Sequence, residues 1–158
     1  MRQKEKTDLT ILHNINQEII RLSKKHGWKY NFKVDNGLYE TRIDIDSDGE
    51  WRPGNGTLPS MGFEMFCPDL IDFNNQVIIE YEEESGPNSG FFKSKKDKGH
   101  NQELLNPRDE RRDWYYGQAK FAVLKIWETN YLDQKWKAVL YLFLKEAMKL
   151  DKRGVIQQ

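Results

Sequence analysis

The stretch CPDLIDFNNQVIIEYEEE, residues 67–84, decides how this chain is read. Asn74-Asn75 separates two apolar runs, and asparagine tolerates the positive φ that a two-residue hairpin turn needs. With that turn, Phe73 faces Gln76, Ile71 faces Ile78 and Asp69 faces Glu80. Side chains alternate along strands, so Asp69, Ile71 and Phe73 share a face with Ile78, Glu80 and Glu82. Three carboxylates thus gather on one face of an otherwise apolar hairpin. Like charges directly opposite one another destabilise a sheet. A hard divalent cation would neutralise them, and Mg²⁺ typically takes one or two carboxylates plus waters and substrate phosphate oxygens. The pattern alone leaves two readings open: an edge hairpin whose acids face water, or a cation site. Val77-Ile78-Ile79 running straight into Glu80 points to a central strand, where bare carboxylates are costly.

Outward from the hairpin, the rest of the chain supplies the layers of a mixed fold. Residues 8–26 carry Leu9, Leu12, Ile15, Ile19 and Leu22 at helical spacing, with Asp8 as N-cap and Gly27 after a basic last turn. Trp28 to Val34 alternates large and polar residues, as a half-buried strand does, and Tyr39 to Ile45 follows the Asp35-Asn36-Gly37 turn as a second strand. Residues 46–62, punctuated by glycine and proline, read as a long loop. Phe63 to Phe73 and Gln76 to Glu83 are the hairpin strands, and Ser85 to Asn101 is a Gly/Ser/Lys loop. A helix begins near Pro107, a buried strand spans Phe121 to Glu128, and residues 132–151 form a last helix with Trp136, Val139, Leu140, Phe143, Ala147 and Leu150 on one face. The expected architecture is α/β (α+β): a single domain over residues 1–158, with one central mixed β-sheet flanked by helices.

Composition narrows the function classes. The 158 residues hold 25 Lys+Arg against 25 Asp+Glu, which excludes a uniformly basic nucleic-acid coat. Aromatics at 13% exclude a disordered chain. The single Cys67 rules out a disulfide framework and fits a reducing compartment. The first ten residues have no apolar signal core, and the expectation is a soluble, cytoplasmic protein without membrane partners.

Pro68-Asp69, ten intervening residues, then Glu80-Tyr81-Glu82 resembles the signature of the PD-(D/E)XK nuclease superfamily. Residues 108–128, RDERRDWYYGQAKFAVLKIWE, resemble the Arg-Asp helix and "VLRIWE" strand of the branch that holds very-short-patch repair and homing-endonuclease-like nucleases. The resemblance covers roughly residues 63–132, and the order and spacing of its pieces carry it more than any one piece. It implies a restriction-endonuclease-like core, DNA as partner, and Mg²⁺ as cofactor with Mn²⁺ substituting. Asp69 and Glu80 would be the metal ligands, with Glu82 standing where the superfamily places its Lys. His100, the only histidine after the acidic strand, would serve as general acid or base. Glu18 matches a helical Glu often found near such sites; a solvated helix glutamate is the plainer reading. Lys95 and Lys96 in the basic loop, with Arg108 and Arg112, would contact phosphates. Trp114, Tyr115 and Tyr116 read as aromatics packing that helix on the sheet.

The function implied is a metal-dependent endonuclease hydrolysing DNA phosphodiesters. The alternative is a catalytically degenerate nuclease-like domain that binds nucleic acid or protein, since no Lys follows Glu80 at the expected position. A third motif, Asp44-Ile45-Asp46-Ser47-Asp48-Gly49, matches the first half of a calcium-binding EF-hand loop. Its twelfth position is Asn55 rather than Glu, and Pro53-Gly54 falls where a helix should begin. Asp48-Gly49 is equally a hairpin turn signal.

Overall fold

The computed structural model describes residues 6–54, 58–83 and 107–150. Helix α1 spans Lys6–His26 and buries Leu12, Ile15, Ile19 and Leu22, the stripe its spacing predicts. Gly27, at φ 74°, ends it. Strands β1 (Lys33–Val34), β5 (Leu70–Asp72), β6 (Val77–Glu82) and β7 (Ala122–Trp127) form a four-stranded sheet in the order β1-β5-β6-β7. The first three are antiparallel neighbours, and β7 is parallel to β6. That parallel pairing needs a crossover, which helix α2 (Pro107–Gln118) supplies. A short α3 (Glu128–Leu132) and α4 (Trp136–Ala147) are the last of the described elements.

A second sheet corrects the single-sheet expectation. Strands β2 (Ile43–Asp46), β3 (Trp51–Pro53) and β4 (Phe63–Phe66) pair antiparallel in the order β3-β2-β4. The run expected as one strand from Phe63 to Phe73 is therefore two strands in two sheets. Pro68 lies at the break, where its missing N–H cannot serve a ladder. The loop expected at 46–62 contains β3, because Asp46–Gly49 turns the chain back: Gly49 N–H donates to the Asp46 carbonyl at 3.1 Å, and Gly49 has φ 89°. Of Trp28 to Val34 only the last two residues pair in a sheet. Trp28 instead stacks on Tyr141 of α4, and the Tyr30 hydroxyl donates to the Leu144 carbonyl at 2.6 Å. Tyr39, at φ 62°, lies in a turn, so the second strand starts only at Ile43. The last helix, expected over 132–151, is α4, which begins only at Trp136, after a turn where Gln134 takes φ 68°; α4 buries Trp136, Leu140, Leu144 and Ala147, while Val139 and Leu150 are exposed.

The β5–β6 hairpin has the predicted register, Leu70 with Ile79 and Ile71 with Ile78, around a four-residue turn at Phe73–Gln76. Alternation sends its side chains into two cores. Leu70, Val77 and Ile79 join α1, α4 and Ile126 on one side of the sheet. Ile71 and Ile78 join Tyr115 and Tyr116 of α2, with Ile43, Ile45 and Trp51 of the small sheet, on the other. Among the described residues, no helix is long and apolar enough to cross a membrane.

Candidate active site

The EF-hand-like motif is structural. Asp44 is buried, with both carboxylate oxygens on the Arg42 guanidinium at 3.0 and 3.2 Å, and Asp46 Oδ1 accepts the Asp48 and Glu50 N–H groups of the turn. Asp44 and Asp46 thus pin the small sheet and its hairpin.

The hairpin carboxylates lie on the sheet face beneath α2. Asp69 immediately precedes β5, and Glu80 and Glu82 are on β6. Asp69 and Glu80 are locked reciprocally: the Asp69 N–H donates to Glu80 Oε1 at 3.2 Å, while Asp69 Oδ2 accepts the Tyr81 N–H at 2.8 Å. The side chain of Asp69 thereby takes a strand donor just where Pro68 interrupts the chain. Glu80 is only 5% exposed, and its Oε2 accepts the Tyr116 hydroxyl at 3.0 Å. Tyr116 itself is buried under α2, as the sequence predicts for Tyr115 as well.

Among the described residues, two cations face these acids. Arg112, from α2, places Nη2 at 3.1 Å from Glu82 Oε2 and Nε at 3.9 Å from Glu80 Oε2. Its fork also reaches Asp113 at 3.2 Å and Asp109 at 3.5 Å. Lys125 is the parallel register partner of Glu80, and its Nζ lies 2.6 Å from Asp113 Oδ2. Register partners in adjacent strands share a face, so Lys125 belongs to the carboxylate surface.

Electrostatics follow from this crowding. Burial first, and then the Asp69 charge, pushes the Glu80 carboxyl well above the usual carboxylate range, with Arg112 opposing. Burial also raises Glu82, against the pull of Arg112 and Lys125. Tyr116 is raised by burial and by the Glu80 charge. For Arg112, burial opposes the charged form, but Glu80 and Glu82 outweigh it and hold the guanidinium protonated.

Of the residues singled out by sequence, Asp69, Glu80, Glu82 and Arg112 come together, and Arg108 is exposed on the same helix. Glu18 does not join them. It is buried on α1, whose apolar stripe packs on the opposite sheet face, and Arg21 grips both its oxygens at 3.0 and 2.6 Å. That hydrogen-bonded fork lowers the Glu18 carboxyl against the effect of burial. Lys95, Lys96 and His100 lie outside the described residues. Lys125, Asp113 and Tyr116 were not assigned from sequence to the site. The available signal was a lone Lys in the middle of the apolar run AVLKIW.

Among the described residues, no three His, Cys, Asp or Glu side chains converge in a metal cage. The donor chemistry still suits a hard cation, since Mg²⁺ needs only one or two carboxylates with waters completing its shell. Asp69 and Glu80 would provide them. Comparison with protein-family models, with curated proteins and with solved structures finds no match.

Proposed function

We propose that this chain is a metal-dependent endonuclease of the PD-(D/E)XK kind, hydrolysing DNA phosphodiesters at the Asp69–Glu80–Glu82 face. The observation that carries the reading is the burial of Glu80 in a central strand beside Asp69, with Arg112 and Lys125 on the same face. A fold gains nothing in stability from packing carboxylates together in a core layer. A divalent cation bound by Asp69 and Glu80 would supply Lewis-acid polarisation of the phosphate and a lowered water pKa. Tyr116 orients Glu80 through its hydroxyl, and the Tyr81 N–H orients Asp69. Lys125 supplies the ammonium that the family pattern puts where Glu82 stands, positioned to offset charge growing on the phosphoryl oxygens. Arg112 and Arg108 offer guanidinium forks to flanking phosphates. In the reaction a water oxygen bonds to phosphorus as the bond to the 3′ oxygen breaks. His100, Lys95 and Lys96 enter this reading through the sequence alone.

The test is nicking of supercoiled plasmid, and of mismatched and branched duplexes, in Mg²⁺, Mn²⁺ or EDTA. Metal-dependent cleavage by the wild type, lost in Asp69→Asn with the circular dichroism spectrum unchanged, supports the reading. Cleavage retained by the variant overturns it. The second reading, a nuclease-like binding module without catalysis, draws on Glu82 at the Lys position and on the engagement of the acids by Arg112. DNA binding with no cleavage in either metal would select it.

A further inference from the structure

Arg112 is placed as a bound cation would be. Its guanidinium lies within ion-pair distance of four carboxylates: Glu80 at 3.9 Å, Glu82 at 3.1 Å, Asp113 at 3.2 Å and Asp109 at 3.5 Å. The first two belong to the sheet and the last two to its own helix, so the fork bridges two separate acidic pairs. Its side chain is 18% exposed, and the Tyr116 ring lies 6.0 Å from its guanidinium. Lys125, a second cation on the face among the described residues, is held by Asp113 at 2.6 Å.

We infer that Arg112 is the resident counter-ion of the sheet carboxylates and that a divalent cation binds by exchange, displacing the guanidinium from Glu80 and Glu82. The two cations share the Glu80 carboxylate, and both charges cannot be held beside it without mutual repulsion. The displaced fork has a second resting place, because Asp109 and Asp113 already hold it from the helix side. Freed from the sheet acids, its outer N–H groups can take a phosphate oxygen, whose bidentate recognition suits arginine. Cation binding and phosphate binding are thereby coupled through one side chain.

This inference rests on the assignment of Asp69 and Glu80 as cation ligands, and its test does not use cleavage. Mn²⁺ is titrated into the full chain and the free ion is read by electron paramagnetic resonance. Arg112→Gln should bind Mn²⁺ at least about tenfold more tightly than wild type, a modest part of the repulsion between two charges a few ångströms apart. Arg112→Lys should fall between them, and adding Glu80→Gln to Arg112→Gln should abolish the gain. Equal or weaker binding by Arg112→Gln, or a gain that survives the loss of Glu80, overturns the exchange. Should these variants fail to fold, the wild type suffices. In a Mg²⁺ titration the assigned Arg112 Nε–H resonance should move along the binding curve, and a stationary resonance overturns the proposal. A wild type that shows exchange yet never cuts DNA removes only the nuclease reading. One that cuts DNA with unaltered Mn²⁺ affinity in Arg112→Gln removes only the exchange.

Discussion

Glu80→Gln should make this protein more stable at alkaline pH while removing the proposed activity. Glu80 is 5% exposed, next to Asp69, with a carboxyl raised well above its ordinary 4.5. A carboxyl raised by folding contributes stability that is fully present below the unfolded value, near 4.5. That contribution is lost as pH rises through the folded-state value, because the unfolded chain then releases a proton that the folded one retains. The slope for one such proton is at most about 1.4 kcal/mol per pH unit. An amide of the same shape has no charge to bury. Its oxygen can accept the Asp69 N–H and its NH₂ can donate to the Tyr116 oxygen, the two partners that the carboxylate now holds. Arg112 is not stranded by the change, since Glu82, Asp113 and Asp109 keep it paired. The gain at pH 8 is about 1–3 kcal/mol, the range for relieving one imperfectly compensated buried polar group. A domain of this size translates that at roughly 2–4 °C of Tm per kcal/mol. Thermal unfolding of both proteins from pH 4.5 to 8.5 in EDTA is the assay. The two curves should converge at the acid end and separate steadily above it, the variant lying higher. A difference independent of pH, or a variant less stable at pH 8, would refute the assignment of Glu80 as a strained, destabilising carboxyl.

Three further expectations rest on separate contacts. Lys125→Met should lose at least about tenfold in metal-dependent cleavage, the scale of one charge-stabilising group, while Tm changes little because Asp113 keeps Arg112; unchanged turnover would dismiss Lys125 from the site. Tyr116→Phe removes the donor on Glu80 Oε2 and should cost about 0.5–1.5 kcal/mol, as for a typical intramolecular hydrogen bond. Its pH-dependent loss of stability should extend to higher pH than in wild type, and a Tm profile superimposable on wild type would show that the hydroxyl is not holding Glu80. Gly49→Ala should destabilise by about 3 kcal/mol, combining left-handed strain with overpacking, because Gly49 has φ 89° and a Cβ there would meet the Gln118 carbonyl oxygen at 2.2 Å. An unaffected urea midpoint would mean that the turn of the small sheet does not pack against the end of α2.

What the residues alone determined was local. A turn pair between two short apolar runs sets a hairpin register over ten residues, and that register sends Asp69, Glu80 and Glu82 to one face whatever surrounds them. The stripe on α1 and the helix at Pro107 are equally products of near-neighbour spacing. Pairing between distant segments was beyond such reasoning. Lys125 joins Glu80 only because β6 and β7 run parallel through a crossover, and Arg112, Asp113 and Tyr116 reach the acids only because α2 crosses over them. Glu18 went the other way, since the stripe beside it packs on the opposite side of the sheet. The strand run from Phe63 split between two sheets for a reason visible in Pro68, but the second sheet that receives Phe63–Phe66 exists through pairing with Ile43–Asp46, many residues earlier. Alternation and turn chemistry act over a few residues and can be read in order along the chain. The charge environment of a carboxylate is set by whichever groups folding carries to within a few ångströms, and here Asp69 came from the same hairpin while the cations came from α2 and β7, thirty residues or more along the chain.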